Sequence, residues 1–193
     1  MKVALIPCGA TEWHDEGRLL GRVELPLTRA GEERCSEWAE QLFSLGLRRI
    51  LHGPDELSAH TAAILARRLS IPTKAVDELI EVDIGLWTGL TEAQLHGRYP
   101  SAHRELGESP LNVHPPGGES LADAAHRLAV CLHKRIRKIG TASLGVVLRP
   151  LALILARATL DGHELTDVWQ ATQNATEPVI IDYGETDPAR LSA

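Results

Sequence analysis

Short apolar runs recur along this chain, each followed by an amphipathic segment of helix length, and that alternation restricts its fold more than any other feature. "KVALI" at residues 2–6 is a β-branched and apolar run with the pattern of a buried strand. Thr28 then caps a helix in which Cys35, Trp38, Leu42 and Leu45 recur at spacings of three and four, and Gly46 supplies its stop. "RRILHG" reads as a second buried strand, and "DELSAHTAAILARRLS" after Pro54 as a second helix with Leu57, Thr61, Ile64, Leu65 and Leu69 inward. "ESLADAAHRLAVCLHKRIRKIG" sets Leu121, Ala125, Leu128, Leu132 and Ile136 on one face. "SLGVVLR" is a further strand leading into "PLALILARATL", and "EPVIIDY" is the last strand. The alternation predicts an α/β fold, three-layer α/β/α with a mostly parallel central sheet of about five or six strands.

Residues 1–193 are expected to form one domain, because a chain of that length buries enough surface without staples. Residues 83–118 break the alternation. They are rich in Gly, Pro and His, with one short helical pattern near 91–97, and are expected to be an insertion covering a cleft.

Composition excludes several classes of function. The net charge is −6, and Lys and Arg are scattered among acids, so the footprint of a nucleic-acid binder is missing. No stretch approaches the ~20 apolar residues of a membrane span, and the first residues are too short for a signal-peptide core. Cys8, Cys35 and Cys131 are odd in number and show no CxxC spacing, which suggests neither a disulfide framework nor a zinc site and fits a cytoplasmic setting. His14, His52, His60, His96, His103, His114 and His126 have no ligand spacing such as HExxH, so neither metal nor cofactor is expected.

Ligands in open α/β sheets sit beyond the carboxyl ends of the strands. Those ends are Pro7-Cys8-Gly9, His52-Gly53-Pro54 and Leu148-Arg149-Pro150.

"GATEWHDEGRLLGRVELPLTRAGEE" resembles the opening of the histidine phosphatase superfamily, the phosphoglycerate-mutase-like proteins, which typically read RHGETxWNxxGRLQGxxDxPLTxxGxxQ. Gly9, Thr11, Trp13, Gly17, Arg18, Gly21, Pro26, Leu27, Thr28 and Gly31 fall in register. "LIEVDIGLWTG" is similar to the family's LxExxxGxWxG, "YP" and "PPGGES" to two later segments, and "LGVVLRPLALILA" to its VLVVSHGGxIR strand. The resemblance spans nearly the whole chain.

What the resemblance implies for chemistry is loss. Family members accept a phosphoryl group on the His of RHG, supported by the preceding Arg, by an Arg in the second helix and by a second His after the late strand. At those positions this chain carries Cys8, Pro7, Leu57 and Arg149, while Glu81 stands at the place of the usual proton donor. Ala10 replaces the glutamate of RHGE and His14 the Asn after the Trp. Phosphoryl transfer relies on positioned positive groups, and removing one such donor commonly costs about a hundred- to a thousandfold in rate. The resemblance therefore implies a pseudoenzyme without catalytic residues, acting by binding a small ligand or a protein, as a monomer or homodimer. Cys8, Gly9, His14, Arg18, His60, Glu81 and Arg149 are the candidate ligand-binding residues.

Two other readings stand beside it. Cys8 could act as a thiolate nucleophile with Arg149 nearby, or Glu81 and Arg149 could support an altered phosphoesterase. Alternatively, Cys8, His14, His52, His60 and Glu81 could converge as a metal- or small-molecule-binding module. Arg22 lies near the motif loop and is as readily a solvated charge. Ser120 or Glu119 is expected to open the long helix.

Overall fold

The computed structural model describes residues 1–184. Its centre is a five-stranded sheet in the order β3-β2-β4-β1-β5, with β1 at Lys2–Pro7, β2 at Leu47–His52, β3 at Thr73–Ala75, β4 at Ser143–Leu148 and β5 at Val179–Asp182. All neighbours are parallel except β5, which runs antiparallel to β1 at the sheet edge. The expected architecture is therefore present.

Alternation along each strand separates two cores. Val3 and Leu5 of β1, with Leu51 of β2 and Leu144, Val146 and Leu148 of β4, face the layer of α6 (Leu121–Ile139) and α7 (Pro150–Asp161). Ala4 and Ile6, with Ile50 and Val147, face the layer of α2 (Arg29–Leu42) and α3 (Glu56–Leu69). Because both faces are covered, the inner strands read as continuous apolar runs instead of alternating ones.

Caps set the helix starts, at the predicted Thr28 and Ser120 and also at Asp55. Thr28 accepts a hydrogen bond from the Gly31 amide, Asp55 from that of Ser58, and Ser120 from that of Asp123. Gly46 closes the segment after α2 in the left-handed conformation, at φ 60°. On α6 Ala124 is fully buried and Ala125 is partly buried against the same core.

Gly31 brings α2 against the turn that follows β1. A Cβ there would lie 2.5 Å from the Ala10 carbonyl oxygen and 2.8 Å from its amide nitrogen, both rigid backbone. Gly31→Ala should therefore lower stability by about 2 kcal/mol or more, seen as a drop in Tm, whereas Gly97→Ala, with open space around it, should not.

The segment 83–118 differs from the expectation. Besides α4 at Glu92–Arg98 it contains a second helix, α5 at Pro100–Glu108, started by Pro100 in its first turn. Trp87, Leu95, Leu106 and Val113 are buried in the α6/α7 core. The segment is a packed flank held by Leu19–Leu90 and Gly89–Leu19 backbone hydrogen bonds, and none of its residues lines the cavity described below. No helix among the described residues is long and apolar enough to cross a membrane.

Candidate functional site

A cavity of about 410 Å³ opens at the carboxyl ends of β1 and β4. Pro7 and Cys8 reach it from β1, Glu81 from the loop after β3, and Pro150 and Leu151 from the start of α7. His14 of the short helix α1 (Glu12–Asp15) and residues Arg18, Leu19, Leu20 and Gly21 line one side. Arg34 and Trp38 of α2, with Thr172, Gln173, Ala175, Thr176 and Glu177, line the other. This last stretch spans the end of α8 (Val168–Asn174) and was not legible as a site: α8 is short and its apolar spacing marks only packing.

The turn after β1 spends its donors internally. Pro7 has no N–H, the Cys8 amide donates to the Leu148 carbonyl at 2.9 Å, and the Gly9 amide donates to Thr61 Oγ1 at 3.0 Å. The Thr11 amide donates to His14 Nδ1 at 3.0 Å. Gly9 itself is walled in, since a Cβ there would meet Leu27 Cδ2 at 2.7 Å and Cys35 Sγ at 2.8 Å. An anion-binding nest needs several outward N–H groups, and this turn directs these three into the fold.

The Cys8 thiol is buried, and burial pushes its pKa above the ordinary cysteine range, with Arg149 opposing and Glu81 and Asp55 reinforcing the rise. Cys35, behind it, is pushed up to about 11 by burial. Both are thiols at neutral pH.

Arg149 does not face the cavity. Its side chain is 1% exposed, Nη2 donates to the Val23 carbonyl at 2.7 Å, and Nη1 lies 3.6 Å from Asp55 Oδ1. The same Asp55 oxygen caps α3 by accepting from the Ser58 amide at 2.9 Å. One buried carboxylate thus orders a helix start and faces the guanidinium, whose Nε and Nη1 have no hydrogen-bond partner among the described residues.

Glu81 is equally committed. Oε1 accepts from the amides of Val82 at 2.7 Å and Ala152 at 2.8 Å, and Oε2 from that of Leu151 at 3.1 Å. Arg149 is the N-cap residue of α7 and gives no side-chain cap, so Glu81 caps that helix from across the fold. Burial pushes its carboxyl above the usual carboxylate range, opposed by Arg149 and by the three amides.

Of the predicted ligand-binding residues, Cys8, His14, Arg18 and Glu81 line the cavity and Gly9, His60 and Arg149 do not. His60 is half exposed and lies 3.7 Å from Glu32. Leu57 is packed in the α2/α3 core and does not plug the cleft. Arg18 donates to the Gly89 carbonyl at 2.9 Å and pairs with Glu16, while Arg22 donates to the Glu81 carbonyl and to Glu119, each at 2.9 Å. Arg34 pairs with Glu37 and Glu177, and Trp38 Nε1 donates to Glu177 at 3.1 Å. No three His, Cys, Asp or Glu side chains among the described residues group as metal ligands.

His14 is held neutral. Burial lowers its pKa to about 4, with Arg149 contributing in the same direction. A histidine free in the unfolded chain titrates near 6.5, so the unfolded state binds more protons between those values and stability should fall as pH drops from about 6.5 towards 4. NMR titration should show the His14 ring still neutral at pH 5; a midpoint near 6.5 would contradict this geometry.

Residues 3–192 match the model of the histidine phosphatase superfamily (branch 1). The chain belongs to this superfamily. Phosphoserine phosphatase 1 of Hydrogenobacter thermophilus is 26% identical over 181 residues, covering 93% of this chain and 86% of that protein. A probable phosphoglycerate mutase, GpmB, of Salmonella paratyphi B is 29% identical over 136 residues, 68% of this chain and 63% of that protein. Among solved structures, Bacillus stearothermophilus YhfR superposes with a TM-score of 0.77 at 23% identity, covering 87% of this chain and 83% of that one. A mycobacterial glucosyl-3-phosphoglycerate phosphatase with VO3 also gives 0.77, at 21% identity, over 88% and 84%. Relatives named as phosphatases and a mutase make this an enzymatic family, and the cavity lies at the strand ends to which the histidine phosphatase resemblance directs attention.

Proposed function

We propose that this chain is a histidine-phosphatase-fold protein that has given up phosphoryl transfer and acts by binding an uncharged or weakly polar small molecule in the cleft. The observation that carries this reading is the burial of Arg149, which is absent from the cavity lining and lies against Asp55 and the Val23 carbonyl. The two remaining cations on its walls, Arg18 and Arg34, already pair with Glu16 and with Glu37 and Glu177. A phosphoryl dianion entering there would meet a neutral histidine, a thiol and the Glu81 carboxyl, with its desolvation left uncompensated. Apolar surface from Pro7, Leu20, Trp38 and Leu151 suits a ligand bound mainly by burial.

A Cys8-dependent phosphoesterase is disfavoured by the raised thiol pKa and by the inward amides of its turn. The reading takes the protein as one domain across 1–193 in the cytoplasm, where its three free cysteines stay reduced. Hydrolysis of p-nitrophenyl phosphate and phosphoserine is the direct test. No turnover above buffer is expected, with Cys8→Ser and Glu81→Gln indistinguishable from the parent; turnover abolished by either substitution overturns the reading.

A further inference from the structure

A second groove lies at the opposite end of the sheet, where the parallel strands begin. Its volume is about 320 Å³, and its charged lining consists of Arg48, Arg49, Lys74, Arg135 and Lys138, with no acidic side chain. Three elements bring these cations together. A break in the β2–β4 register between Leu47 and Ile50 leaves Arg48 and Arg49 exposed side by side. Lys74 is set beside them by the pairing of β3 with β2, opposite Leu51. Arg135 and Lys138 come from the last turns of α6.

We infer that this groove binds a small-molecule polyanion carrying two or more linked phosphate groups. Charge decides the class. The chain as a whole is −6, yet five of its 20 Lys and Arg residues meet in one groove. Among the described residues the one ion pair made by the five is Arg135 with Glu78, at 3.7 Å, so Arg48, Arg49, Lys74 and Lys138 are left to a ligand. Unmatched like charges this close repel, and a single phosphate of about −2 would leave half of them uncompensated. A diphosphate or triphosphate supplies about −3 to −4 in a compact volume.

Shape agrees with charge. Leu51, Ile139 and Leu144 line the same groove, and an apolar wall strengthens charge-assisted hydrogen bonds to guanidinium forks by excluding water. The volume fits a small molecule, and the five cations are confined to one groove of a chain whose net charge is −6. This inference is independent of the reading of the cleft, because none of the five cations lines that cavity.

Isothermal titration of the full chain with sodium tripolyphosphate at two salt concentrations is the test. Saturable one-to-one binding is expected, weakening as salt rises. Lys74→Glu with Lys138→Glu, both at exposed positions, should weaken it about tenfold or more, while Arg67→Glu with Arg68→Glu on α3, outside the groove, should leave it unchanged. Orthophosphate should bind more weakly than tripolyphosphate. The inference is overturned by absence of saturable binding, by affinity insensitive to the Lys74/Lys138 reversal, or by single-stranded RNA binding more tightly as its length increases.

Discussion

Replacing Arg149 by methionine should lower the free energy of unfolding by about 3–5 kcal/mol, the range for breaking a buried pair by removing one partner. Three features make the site costly to disturb. Arg149 is 1% and Asp55 6% exposed, so solvent screens little of their interaction. Removing the guanidinium strands the Asp55 carboxylate, which must still cap α3, and frees the Val23 carbonyl in a partly buried setting. In a chain of this size each kcal/mol moves Tm by about 2–4 °C, so a fall of about 10 °C is expected. Urea unfolding should show a lower midpoint with unchanged slope. Adding Asp55→Leu should recover about 1–3 kcal/mol, because the stranded charge leaves with its partner. A loss below about 1 kcal/mol for Arg149→Met would mean that the ion pair does not organise the cleft floor.

The largest expected gain is in anion binding. Pro7→Arg, Cys8→His, Leu57→Arg and Arg149→His together should give saturable binding of phosphate or vanadate, at least about a hundredfold stronger than in the parent. The structure makes two of these changes interdependent. Leu57 is 2% exposed in the same apolar cluster as Cys8, so Leu57→Arg alone buries a cation among carbon atoms and should cost several kcal/mol. Asp55 lies two residues before Leu57 and is already occupied by Arg149. Arg149→His vacates that carboxylate, and the double replacement should be less destabilising than the sum of its parts by about 1–3 kcal/mol. A folded quadruple variant that ignores phosphate would show that loops beyond these four positions had also diverged.

The sheet and its two covering layers were legible because buried parallel strands leave uninterrupted apolar runs and their helices leave a spacing of three and four. Both signals are local. α5 was hidden because its Gly, Pro and His content reads as loop, although Pro100 occupies the one helical turn that tolerates it. The site was legible only at the level of position. Cys8 and Glu81 do meet at the strand ends, but the direction of Arg149 is set by Asp55 and Val23, residues 94 and 126 positions away in sequence, which no periodicity exposes. The wall formed by Arg34, Trp38 and Glu177 escaped for the same reason, since Trp38 reads as core and Glu177 as the first residue of the last strand.

Glu81 belongs at once to the cleft and to the first turn of α7, and this double membership makes the helix a reporter of what the cleft contains. A ligand that offers Glu81 a hydrogen-bond donor must compete with the Leu151 and Ala152 amides, so those amides should exchange with solvent faster when such a ligand is bound. A purely apolar ligand leaves the cap in place and should slow the same exchange by covering it. Amide exchange in the first turn of α7 would therefore sort the cleft's ligands by polarity before any of them has a name.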